Sequence, residues 1–222
     1  MREPIRIPVE EALRYLGAAQ ADPETRRLAE KTAGMLEERV TPRWIWRVCG
    51  MDRDGGELRL PEAGIALTGH LAESMLAECE KAVLLVCTLG AGFERMEKGW
   101  EARDMAVAAV MDACGSAWTE AVCDAAEEEI RQRFPDQYIT DRFSPGYGDL
   151  PLELQADFLR ALDAERKLGI TVNESFLLNP GKSVTAVIGL SDRPQGAKIR
   201  GCAFCSLRNT CRIRERGETC EV

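Results

Sequence analysis

The chain has 222 residues, 45% of them apolar and 30% charged, enough for one well-buried domain or a domain with a small appendage. With 29 Lys plus Arg against 37 Asp plus Glu, the formal charge is −8, which argues against a phosphate-tracking nucleic-acid binder. No apolar run approaches the roughly 18–20 residues that span a bilayer, and MREPIRIPVEEALRYLG lacks the apolar core of a secretory signal, so a cytoplasmic protein with no membrane partner is expected.

Residues 8–18 and 23–39 read as helices. Pro8 sits just inside the first start, and Asp22-Pro23 supplies an N-cap and first position for the second. Residues 44–49 and 57–67 read as short extended segments, broken by Asp54-Gly55-Gly56 and Pro61. A helix over about 69–79 leads into residues 82–88, AVLLVCT, a continuous apolar run expected of a strand covered on both faces. Leu89-Gly90-Ala91-Gly92 reads as a turn, and a long helix is expected over roughly 101–133, stopped by Pro135. Residues 138–143 read as extended, followed by a tight loop, Ser144-Pro145-Gly146-Tyr147-Gly148. A helix over about 151–168 carries Leu154, Phe158, Leu159 and Leu162 on one face and ends at Gly169. Residues 170–178 and 183–190 read as paired strands joined at Asn179-Pro180-Gly181. Strands and helices do not alternate regularly, so the expected class is α+β.

Two stretches carry chemistry. In the long helix, Asp112, Ser116 and Glu120 recur every four residues within an apolar run, a spacing that puts them on nearly one face. The stripe, continued by Asp124 and Glu128, reads equally as the solvent side of an amphipathic helix or as the wall of a pocket in which Glu120 meets a cation. Gly115 nearby would permit close approach. In Arg142-Phe143-Ser144-Pro145-Gly146-Tyr147, the Pro-Gly pair fixes a turn that brings a guanidinium and a phenol together. A guanidinium clamps carboxylates, and a Tyr face accepts a cation or stacks on a flat base. His70, the only His, stands at a helix start and suits a capping or surface role.

These residues, with Glu165, Gly169, Asn173-Glu174-Ser175-Phe176 and Asn179-Pro180-Gly181-x-Ser183-Val184 in that order, resemble the activation domain of vitamin B12-dependent methionine synthase, in which R-x-x-P-G-Y precedes an E-S-F…P-G-x-S-V segment. The match covers about 104–190, and residues 67–100 resemble separately encoded bacterial versions. The resemblance implies a bent antiparallel sheet flanked by helices over residues 1–200. It also implies binding of S-adenosylmethionine and a role as activation subunit: reductive methylation of cob(II)alamin on a partner, with an electron from a donor such as flavodoxin or ferredoxin. Under it, Arg142 would hold the ligand's carboxylate and Glu120 would face its cationic part. Tyr147 with the Pro145-Gly146 backbone would shape the pocket, and Glu174 and Ser175 would support it from a neighbouring strand. The family's aromatic pair after the last strand has no counterpart in residues 191–200, and its N-terminal acidic contact has two candidates, Glu10 and Glu11. With no methyltransferase or cobalamin-binding domain in the sequence, the expected cobalamin-bearing methionine synthase or other corrinoid protein would be a separate chain.

Nine cysteines complete the inventory. Cys49, Cys79, Cys87, Cys114 and Cys123 lie in apolar surroundings, where Cys behaves as a small core residue. Cys202-x2-Cys205-x5-Cys211-x8-Cys220 instead forms a metal-ligand pattern in the tail, residues 201–222; thiolates suit an iron–sulfur cluster or zinc. That tail supports an alternative reading, a metal-binding redox or scaffold protein for another corrinoid methyltransferase.

Overall fold

The run 82–88 sits at the centre of a two-sided core. A computed structural model describes residues 4–54, 57–196, 198 and 199. In it β5 (Lys81–Thr88) is buried at every position after Lys81. It lies between β1 (Arg43–Gly50) and β9 (Ser183–Ser191) in a four-stranded antiparallel sheet of order β1-β5-β9-β6, where β6 is Tyr138–Ile139. Alternation along β5 assigns its side chains to two layers. Val83, Leu85 and Cys87 join α1 (Val9–Tyr15), α2 (Pro23–Arg39) and the long helix α5 (Met105–Arg133) in one core. Ala82, Leu84 and Val86 join the other core, built on β3 (Glu57–Leu60), β4 (Ile65–Leu67), α3 (His70–Met75), α6 (Leu154–Leu162) and α7 (Ala164–Leu168). A three-stranded meander, completed by β2 (Asp52–Asp54), stands beside this second layer. The chain is α+β, an antiparallel sheet flanked by helices.

Caps set several boundaries. Asp22 accepts from the amides of Glu24 and Thr25 at the start of α2, and Asp104 from those of Ala106 and Val107 at the start of α5. The structure differs from the sequence expectation in four places. Residues 89–92 are not only a turn: Gly90, at φ +78°, redirects the chain and opens α4 (Gly90–Glu101), a helix separate from α5. The helix expected over 151–168 is broken at Asp163, φ 55°, into α6 and α7, although Leu154, Phe158, Leu159 and Leu162 are all buried as expected. Between β3 and β4, Pro61–Ala63 forms a turn of 3-10 helix.

The fourth difference concerns pairing. Residues 183–190 do not pair with 170–178. Instead β9 inserts between β5 and β6, and β7 (Thr171–Val172) pairs with β8 (Leu178–Asn179) as a separate ribbon. The reason is burial: from Thr185 onward β9 is buried at every position, so both its faces need cover, which a two-residue, half-buried ribbon does not offer. Among the described residues, no helix is long and apolar enough to cross a membrane. The expected metal ligands Cys202, Cys205, Cys211 and Cys220 lie outside the described residues.

Candidate functional site

After β6 the chain continues extended beside β9. The Thr140 amide donates to the Gly189 carbonyl at 3.1 Å, and Phe143 exchanges two backbone hydrogen bonds with Val187. Phe143 points into the second core, so its neighbour Arg142 projects to the opposite side of the sheet, toward α5. There the guanidinium meets three carboxylates of one helix face. Nη2 donates to Glu120 at 2.5 Å, while Nη1 donates to Asp124 at 2.6 Å and to Glu127. The three acids stand at i, i+4 and i+7, so one α-helical face presents them together.

Exposure grades this cluster. The Arg142 side chain is 7% exposed and Glu127 6%, whereas Glu120 is 35% and Asp124 51%. Burial by itself would pull the guanidinium below its ordinary value; Cys123, Glu127, Asp124 and Glu120 outweigh it and hold Arg142 charged. Glu127 also lies 3.7 Å from the Arg131 guanidinium, and Glu120 and Asp124 form the wetter edge of the cluster. Farther along the same stripe Lys182 Nζ donates to Asp112 at 2.6 Å and to Ser116 at 2.8 Å. The stripe is therefore neither plain solvent face nor buried wall; it is the seam along which two cations from outside α5 are docked.

The turn behind Arg142 is tightly tied. Gly146, at φ +90°, takes a conformation only glycine adopts readily, its amide donates to the Leu150 carbonyl at 2.9 Å, and the Tyr147 amide donates to that of Ser144 at 3.0 Å. Asp149 fixes the loop to the second layer, accepting from the amides of His70 at 2.6 Å and Leu71 at 2.9 Å. Those two bonds, Leu71's foremost, hold the Asp149 carboxyl below its usual range. Pro145 is buried and Tyr147 is 51% exposed.

Of the residues singled out in the sequence, Glu120 and Arg142 meet directly, and Tyr147 stands at the turn's exposed tip. Glu174 and Ser175 do not lie on a strand. They are exposed in the β7–β8 turn, where the Asn173 side chain accepts from the amides of Ser175 and Leu177, and the ribbon packs on α6 and β9. Of the two N-terminal acids, Glu10 is bound by Arg26, while Glu11 takes the Arg14 Nε at 2.8 Å and lies in the electrostatic surroundings of Tyr15, as Glu120 and Tyr147 do. His70 is exposed and opens α3 without capping it; its backbone amide is instead capped by the Asp149 carboxylate. Gly115 does permit a close approach, but of the Phe93 ring of α4, which a Cβ there would overlap.

Sequence reasoning missed Glu127 and Asp149. Glu127 lies outside the i, i+4 stripe and is nearly out of water, so only its demand for a partner could have marked it. Asp149, directly after the R-x-x-P-G-Y-G run and before an apolar residue, is recognisable as a cap only once α3 is known to stand beside it. The five scattered cysteines are buried and free, and burial pushes the thiols of Cys79 and Cys114 up, to about 11 and about 12.

No family model and no curated protein matches the sequence. Among solved structures, the crystal structure of the MetH reactivation domain bound to AdoHcy aligns with a TM-score of 0.62 over 88% of this chain and 73% of that one, at 16% identity. The chain has the fold of that reactivation domain.

Proposed function

We propose that this chain binds S-adenosylmethionine at the Glu120–Arg142–Tyr147 site and serves as the reactivation factor of a cobalamin-dependent methionine synthase on a partner protein. The observation that supports it is the meeting of Arg142 with Glu120 on α5, beside the Pro145-Gly146 turn, in a fold shared with a domain crystallised with AdoHcy. The charge balance fits. The ligand carries a sulfonium, an ammonium and a carboxylate, and the site offers an excess of carboxylates over its one buried guanidinium.

Arg142 already has three acidic partners, so a ligand carboxylate joins by exchange. Glu120 and Asp124, both more exposed than the deeply buried Glu127, exchange at lower cost, and Glu120 is then placed to take the ligand's cationic part. Glu127 keeps the guanidinium oriented, and the exposed Tyr147 ring is the aromatic face that the adjoining turn offers a ligand. When bound, S-adenosylmethionine supplies the methyl group for cobalt, with one electron from a flavodoxin- or ferredoxin-type donor. This chain's residues bind and orient, and no acid–base step is assigned to them.

The tail belongs to the same proposal: Cys202, Cys205, Cys211 and Cys220 hold an iron–sulfur cluster or zinc, supported by their spacing. Iron, sulfide and zinc analysis after anaerobic purification separates the two, and a colourless one-zinc protein removes any role as electron relay.

A second reading is favoured by the ion cluster itself, which is complete without a ligand and suits a scaffold for another corrinoid methyltransferase. Thermal unfolding with increasing S-adenosylmethionine decides between them. Binding to the folded state raises the melting temperature with ligand concentration, and Glu120→Gln weakens the effect while leaving the fold intact. An unchanged melting temperature at millimolar ligand rejects the first reading.

A further inference from the structure

We propose that Glu97 of α4 and Asp112 of α5 share one proton, an acid pair that fastens the two helices in mildly acidic solution and loosens them when the proton leaves. The inference stands apart from the ligand proposed above, since Asp112 lies about two turns along α5 from Glu120.

The helix hairpin brings the two acids together. Only residues 102–104 connect α4 to α5, and the two helices pack on one another, so they run antiparallel. Their contact is fixed where the Phe93 ring fills the space that a Cβ on Gly115 would enter. One turn from Phe93 toward the connection stands Glu97. Three residues from Gly115 toward the same connection stands Asp112. Both acids therefore occupy the next stretch of the same seam.

A single oxygen shows what happens there. Glu97 Oε1 is withdrawn from water, and among the described residues no hydrogen-bond donor meets it. An unpartnered buried carboxylate oxygen is costly. A proton removes that cost, because a carboxylic acid donates to a neighbouring carboxylate. The nearby cation does not take this role: Lys182 Nζ donates to Asp112 Oδ1 at 2.6 Å and to Ser116 Oγ at 2.8 Å. The charges acting on Glu97 are Lys182 from the turn before β9, Asp112 from α5 and Glu101 from its own helix, while Lys98 of α4 pairs with Glu94. Burial foremost, opposed by Lys182 and reinforced by Asp112 and Glu101, holds the Glu97 carboxyl above its ordinary value.

The sign follows from that direction. Stability from the protonated Glu97 is fully present below its unfolded pKa and is lost as pH rises through the folded one. The proton passes to solvent, and two carboxylates then face one another with Lys182 as their shared counter-ion. The Lys182 carbonyl also accepts from the Leu89 amide at 3.0 Å, which ties the acid pair to the start of α4 and the entry of β9.

Carbon-13 NMR of the side-chain carboxyls of the full chain over a pH series tests this. Glu97 is expected to titrate above the ordinary Glu value of about 4.3. Asp112→Asn, whose amide donates to the Glu97 carboxylate instead, is expected to bring that midpoint down. Glu97→Gln keeps the shape of the acid and donates to Asp112 at every pH. Its melting temperature is expected to lie closest to wild type in acid and to exceed it increasingly as pH rises through the Glu97 midpoint. A Glu97 midpoint at or below the ordinary value, or one that Asp112→Asn leaves unmoved, overturns the shared proton. A melting-temperature gap that does not widen with pH overturns the fastening of α4 to α5.

Discussion

Arg142 Nη1 donates to the Glu127 carboxylate from fifteen residues away, and both side chains are almost out of water, at 7% and 6% exposure. Glu120 and Asp124 bond the same guanidinium from its wetter rim. This gradient makes the cluster's members unequal. The inner pair sustains the fold, and the outer acids remain able to answer a ligand.

Removing Arg142 leaves Glu127 charged and buried without its main counter-ion. Arg142→Met is therefore expected to destabilise by about 3–5 kcal/mol, and Arg142→Met with Glu127→Met to recover most of that loss. Glu120→Gln, at a partly exposed position, is expected to cost under about 1 kcal/mol. Urea denaturation of the four proteins checks the ordering; equal costs for Arg142→Met and Glu120→Gln would contradict the gradient.

At Gly115 two effects oppose one another. Alanine in a helix interior gains about 1 kcal/mol over glycine, but here its Cβ would overlap the Phe93 ring. Overpacking of this kind costs about 1–3 kcal/mol, so Gly115→Ala is expected to destabilise. In a Phe93→Leu background the same substitution is expected to cost less or to stabilise. A double-mutant cycle showing no coupling would mean that the two helices can separate freely.

Asp149 links the turn to α3, and its acidity sets a pH window. Its folded pKa lies below the ordinary carboxylate value because it accepts from the Leu71 and His70 amides. Its contribution is thus fully present above the unfolded value and is lost as pH falls through the folded one. Asp149→Ala is expected to lower the melting temperature near neutrality, with the gap to wild type narrowing as the solution is acidified below about pH 4. A gap that stays constant down to acid pH would show that the carboxylate's charge is not what holds the loop.

The five core cysteines are expected to resist alkylation. Burial pushes Cys79 to about 11, Cys114 to about 12, and Cys49 and Cys87 upward as well, Cys87 also bonding Cys123. At these four the thiolate, the reactive form, is then scarce at pH 8, and Cys123 is shielded by its full burial. Mass spectrometry after brief native alkylation is expected to find these five unmodified, with modification following unfolding. Fast modification of Cys114 in the folded protein would refute its placement.

Patterns repeated along one element were legible in the amino-acid order. The all-apolar run of β5 announced a strand covered twice, Asp22 and Pro135 marked helix limits, and Pro145-Gly146 announced a fixed turn. The resemblance named Glu120 and Arg142 as neighbours of one ligand; their direct ion pair, across 22 residues of chain, was not in it.

What the order of residues could not give was the choice among partners far apart in the chain. Residues 183–191 pass one turn from β8 yet pair with β5 and β6, because only there are both of their apolar faces covered. Gly115 looked like room for a ligand until α4 brought Phe93 against it, and Arg142 looked like an open clamp until α5 presented Glu127 as well. Periodicity records which side of an element avoids water, and one chain can determine that alone; which neighbour fills that side is settled by competition among all the elements, and that competition is resolved only in three dimensions.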